Sequence, residues 1–137
     1  MEDWVKRRND CSPFEMFIRL RKGAEEDVKA RNSLLKDGAS VRFKVVADNG
    51  TFGVSREAVG QPDATTGPAP EKRISDWIDF SWDESGITVK DQKGKTVQAA
   101  TVTLTDDGEC KLKLSDGTVL SCWQFRKRIL EDLFFNF

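Results

Sequence analysis

Residues 102–122, VTLTDDGECKLKLSDGTVLSC, alternate apolar and polar side chains except at Val119, with turn signals at Asp106-Asp107-Gly108 and Ser115-Asp116-Gly117. A period of two marks strands with one buried face, and each turn signal fits a three-residue loop ending in a glycine that can turn left-handed. Such loops set the register. The first places Leu104 opposite Cys110 and Val102 opposite Leu112; the second places Cys110 opposite Cys122 and Leu112 opposite Leu120. One apolar face therefore crosses three antiparallel strands.

Upstream, Gln92-Lys93-Gly94 repeats the turn, but there the apolar set is Ile87, Val89, Val97 and Ala99, at odd rather than even positions. The inward parity must change near Ala99-Ala100, and a β-bulge or sharp coil there would bend the sheet toward a barrel. Ile74, Ile78, Phe80 and Trp82 alternate with Ser75, Trp77, Asp79 and Ser81 and predict a further strand. Val41, Phe43, Val45 and Ala47 begin a hairpin, in which a type I′ turn at Asn49-Gly50 sets Val45 opposite Val54 and Ala47 opposite Phe52. Residues 60–71 hold three prolines and no large apolar side chain, which predicts a mobile loop inside one domain.

Helices are expected at both ends. Ser12-Pro13-Phe14-Glu15 supplies a capping serine, a first-position proline and a glutamate that can reach back, and Phe14, Phe17, Ile18, Leu20, Ala24, Val28 and Leu35 share one face. Gly23 stands between Arg21-Lys22 and Glu25-Glu26-Asp27, so two helices meeting at that glycine are an alternative. Asp37-Gly38 ends the helical region, and Phe125, Ile129, Leu130 and Leu133 predict a closing helix. The fold class is α+β over residues 1–137 as a single domain. It comprises an N-terminal helix or helix pair, a strongly curved antiparallel sheet of about six to seven strands bent toward a barrel, and a C-terminal helix.

Composition narrows the chemistry. With 22 basic and 23 acidic residues, no overall field draws the chain to nucleic acid or to a membrane surface. No histidine or tyrosine is present, so His-dependent nucleophilic catalysis is excluded and no catalytic residue, metal site or cofactor is assigned. No Gly-rich phosphate loop, EF-hand pattern, HExxH or GxSxG sequence occurs. The start, Met1-Glu2-Asp3-Trp4, lacks an apolar signal segment, and a cytoplasmic protein is expected. Cys11, Cys110 and Cys122 form an odd, widely spaced set, so a disulfide framework is not expected; Cys110 and Cys122 should instead be small buried neighbours on adjacent strands.

Three groups of residues remain as candidates. Phe134, Phe135 and Phe137 exceed what one helix face can bury and suit contact with another protein or a second copy of the chain. Asp76 lies on the apolar side of its strand and, with Trp77 and Trp82, could line a pocket in the curved sheet. Trp4 with Lys6, Arg7 and Arg8 could stack on a base and contact phosphates, although Glu2, Asp3, Asp10 and Glu15 dilute the charge. The expectation is therefore a non-catalytic interaction module. The alternatives are a small-molecule-binding domain or enzyme, and a nucleic-acid-binding accessory protein.

Overall fold

Ser12 caps the long helix as its sequence predicts, its hydroxyl accepting from the Glu15 N–H (3.2 Å) ahead of Pro13 at the first helical position. A computed structural model of the protein describes residues 3–59 and 73–137. The expected loop at 60–71 lies outside the described residues. The order is α1 (Trp4–Asp10), α2 (Pro13–Ser33), β1 (Val41–Asp48), β2 (Thr51–Ala58), β3 (Arg73–Asp83), β4 (Gly86–Asp91), β5 (Thr96–Leu104), β6 (Cys110–Leu114), β7 (Val119–Leu120) and α3 (Cys122–Phe135). The N-terminal helices part at Cys11-Ser12, not at Gly23. Gly23 instead makes room for a neighbour, since a Cβ there would overlap the Arg126 guanidinium, which reaches across from α3 to Asp27 (2.7 Å).

The strands form one antiparallel meander in sequence order, with β1 and β7 at its edges; the sheet is not closed into a barrel. The pairings of Val45 with Val54, Ala47 with Phe52, Leu104 with Cys110, Val102 with Leu112 and Leu112 with Leu120 all occur. The turns after β4, β5 and β6 share one geometry: Gly94, Gly108 and Gly117 have φ of 79°, 84° and 90°, and each donates to the carbonyl three residues back. At Asn49-Gly50 only the glycine has positive φ, so the turn is not type I′, which needs positive φ at both central residues. The parity change falls earlier than expected. The register slips between Val89 and Lys90, opposite Gln98 and Thr96, so Val97 is the extra residue and Ala99 faces solvent while Ala100 is buried.

Both helices cover the same face. Phe52 and Phe80 stack at 4.5 Å on the inner side of β2 and β3, Phe17 of α2 lies 5.3 Å from Phe52, and Phe125 of α3 lies 6.5 Å from Phe80. Met16, Leu20, Val54, Ile87, Val89, Leu112 and Leu130 complete the center of this core. The inner face of the sheet, where a pocket was expected, is therefore covered by α2 and α3.

The cysteines depart from expectation. Cys110 is disulfide-bonded to Cys11 (Cα atoms 5.3 Å apart), across 99 residues of sequence. Cys122 does not face Cys110 on a strand, because β7 is only Val119–Leu120 and Ser121 already caps α3 in a reciprocal box with Gln124. The Cys122 thiol stays free, accepts from Arg126 (3.2 Å) and is pushed above its ordinary value by burial. Since α1 buries no residue, the disulfide and the Arg7 bond to the Gly108 carbonyl (3.0 Å) tie it down. Unfolded without reductant, the protein should titrate one thiol, and after reduction three; Cys11→Ser should lower stability by about 2–5 kcal/mol in denaturant titrations.

Three turn aspartates are held in their charged form by local hydrogen bonds. The Ser85, Thr105 and Thr118 hydroxyls, helped by backbone N–H groups, hold Asp83, Asp107 and Asp116 below the ordinary 3.8. Because the folded values are depressed, the stabilisation is complete above the unfolded value and is lost as pH falls through the folded ones. Denaturation midpoints measured from about pH 6 down to about pH 2 should drop below the ordinary carboxylate value, and the drop should be shallower with all three changed to Asn.

Candidate functional site

The last turn of α3 carries no basic residue, so its terminal carbonyls take their cationic partners from elsewhere in the fold. Arg31 of α2 donates to the Phe134 carbonyl (3.0 Å), and Arg56 of β2 donates to the Leu133 carbonyl (3.1 Å). Each guanidinium also meets a ring: Arg31 lies 4.7 Å from the Phe135 centroid and Arg56 lies 4.3 Å from that of Phe137. Two aromatic side chains are thereby held in position while each remains 60% exposed.

Phe134 points the other way. It is 6% exposed and packs edge-on against Phe43 of β1 at 5.0 Å, so this member of the expected partner-binding trio belongs to the core. Phe137 also approaches Phe43, at 6.3 Å. The exposed rings therefore adjoin β1, the edge strand.

That edge is occupied at one position, Phe43. The Val59 N–H donates to the Ser40 carbonyl (2.7 Å), and steps of two along the ladder make Arg42, Lys44, Val46 and Asp48 the residues whose backbone groups face β2. Val41, Phe43, Val45 and Ala47 face outward. Asn32 of α2 takes both groups of Phe43, its Oδ1 accepting from the N–H (2.9 Å) and its Nδ2 donating to the carbonyl (2.8 Å). Among the described residues, nothing pairs with the outward groups of Val45 and Ala47.

Asp76 does share the inner side of β3, as parity requires, and stands opposite Arg56 in the same register as Phe80 opposite Phe52, ion-paired with it just before the ladder slips between Arg56 and Glu57. It lines an open cleft of ≈350 Å³ with Trp77, Ile78, Asp91 and Asp132. Trp77 also walls a ≈230 Å³ hollow on the outer face beside Val46, Gly53 and Asp79, over a buried Ser55 hydroxyl that has no hydrogen-bond partner among the described residues. Trp82 is remote from both hollows and packs edge-on against Phe14 at 5.3 Å. Asp76 and Trp77 are thus brought together, and Trp82 is not.

The basic cluster is partly committed. Trp4 is exposed on α1, Arg8 donates to the Cys11 carbonyl (3.3 Å), and Arg7 shares a ≈400 Å³ hollow with Arg19, Asp10 and Glu109. Among the described residues no set of three or more His, Cys, Asp or Glu is arranged for a metal ion, and no helix is long and apolar enough to cross a membrane. Sequence reasoning missed Arg31, Asn32 and Arg56, which have no local pattern. A guanidinium or amide destined for a partner far along the chain looks like any other surface residue.

The chain matches no protein-family model, no curated protein and no solved structure. The arginine anchoring can be tested alone. Arg56→Ala strands the Leu133 carbonyl and Asp76 and should cost about 1–3 kcal/mol, whereas Asp76→Asn keeps an acceptor and should cost about 1 kcal/mol or less; an unchanged denaturation midpoint for Arg56→Ala would refute the anchor.

Proposed function

We propose that this chain is a non-catalytic protein–protein interaction module whose contact surface joins Phe135 and Phe137 to the free part of the β1 edge. The observation that carries this reading is the pair of 60%-exposed rings, each backed by an arginine that also holds an α3 carbonyl. Rings fixed before contact lose little conformational entropy on binding, and aromatic and arginine side chains are favored in interface cores. The neighbouring edge adds directional backbone hydrogen bonds, as in recognition by strand addition.

A second reading rests on the ≈350 Å³ cleft at Asp76 and Trp77, which would suit a small polar ligand. Native mass spectrometry of protein purified without denaturation supports it if a bound mass is present and disappears with Trp77→Ala. The nucleic-acid reading has less support, since Arg7 and Arg8 already donate to backbone carbonyls. A cytoplasmic location would require the Cys11–Cys110 bond to persist against a reducing thiol pool, an uncommon situation for a structural disulfide.

The main reading is tested by capture from native extract with the unaltered protein, with Phe135→Ser/Phe137→Ser and with Ala47→Pro. Ala47 has an outward N–H, so proline there removes an edge donor without breaking the ladder to β2. A partner reduced about tenfold by both variants, with folding retained, is the expected outcome. Equal recovery with all three proteins would refute the surface.

A further inference from the structure

Resting on that surface, we propose that the occupant of the β1 edge is a second copy of this chain, paired antiparallel with Val46 opposite Val46. Three observations lead to this arrangement. Between the Phe43 lock and the hairpin tip, the outward backbone groups left open are those of Val45 and Ala47, and antiparallel strands join through residues that exchange both N–H and carbonyl bonds. Placing Val45 of each copy opposite Ala47 of the other uses all of these groups and makes four hydrogen bonds about a twofold axis at Val46.

The side chains agree with this register. Lys44, Val46 and Asp48 are exposed on the outer face, Val46 by 50%. In the pairing, Lys44 of each copy stands opposite Asp48 of the other, and the two Val46 side chains meet at the axis, so the strand is complementary to itself in charge and in apolar surface.

Other registers are poorer. A shift that sets Val45 opposite Val45 brings Ala47 onto Phe43, whose backbone groups Asn32 already holds at 2.8 and 2.9 Å. The opposite shift sets Ala47 opposite Ala47, faces Val46 with Asp48 and spends Val45 on the turn residue Asn49. In the proposed register the hairpin tip at Asn49-Gly50 arrives level with Phe43 and turns back, so the asparagine lock ends the overlap where the second copy itself ends. The axis stands perpendicular to the sheet, which continues through both copies with α2 and α3 on one side. Five residues a side is small beside the roughly 800 Å² per partner of a stable interface, so the dimer is weak.

The experiment joins mass to register. Sedimentation or native mass spectrometry from about 10 μM to about 1 mM should show a reversible dimer, which Val46→Glu weakens about tenfold or more by setting like charges at the axis. Under mild oxidation Val46→Cys should give a 46-to-46 disulfide, because directly opposed residues at such a position have Cα atoms about 4.5 Å apart. Lys44→Cys should not link to itself but should link to Asp48→Cys when the two are mixed. A monomer throughout this range, a dimer indifferent to Val46→Glu, or a self-link of Lys44→Cys would overturn the second copy or its register. The broader reading fails separately, through unchanged partner capture by the Phe135→Ser/Phe137→Ser and Ala47→Pro variants.

Discussion

The stacked pair of Phe52 and Phe80 is the contact on which the rest of the molecule rests. With ring centroids 4.5 Å apart and planes within 9° of parallel, it couples β2 to β3 on the inner face and gives each covering helix a ring to pack on, Phe17 from α2 and Phe125 from α3. Because both helices sit on this one surface, the ends of α2 and α3 come together near β1. Arg31 can then reach the Phe134 carbonyl, and Asn32 can reach Phe43. The exposed rings are thus a distant result of core packing rather than a local feature of the C-terminal sequence.

What could be read in advance was local. The turns at Gly94, Gly108 and Gly117 carry their geometry in a few residues, so the pairing of Leu104 with Cys110 and Leu112 with Leu120 follows from loop length and alternation alone. Ser12 and Pro13 mark a helix start for the same reason. The bulge was legible as a necessity but not in position: parity counting requires one extra residue, and only the ladder between β4 and β5 reveals that it is Val97.

What could not be read joins parts of the chain that are far apart. Cys11 and Cys110 carry no spacing signal across 99 residues, and Gly23 looked like a helix break although its lack of a side chain accommodates Arg126. At the candidate site, Phe135 and Phe137 were legible as more rings than one helix face can bury. Phe134 was misassigned because its burial depends on Phe43, a residue on the first strand. Asp76 was placed on the correct side of β3 from parity, while its ion pair with Arg56 depends on how β2 and β3 pair across the long connection between them.

The bond between Cys11 and Cys110 also determines how the protein would carry mechanical load. It closes a covalent ring that contains α2 and strands β1 to β5, leaving α1 on one side and β6, β7 and α3 on the other. A force applied to the two ends would pass through the sulfur bridge and bypass the ring. Only the segments outside it could be drawn out, and β6, β7 and α3 would peel away while the hairpin of β1 and β2 remained unstretched. In its oxidised form the chain is therefore a short tether with a shielded loop hanging from the sulfur bridge, and reduction would expose the whole length to tension.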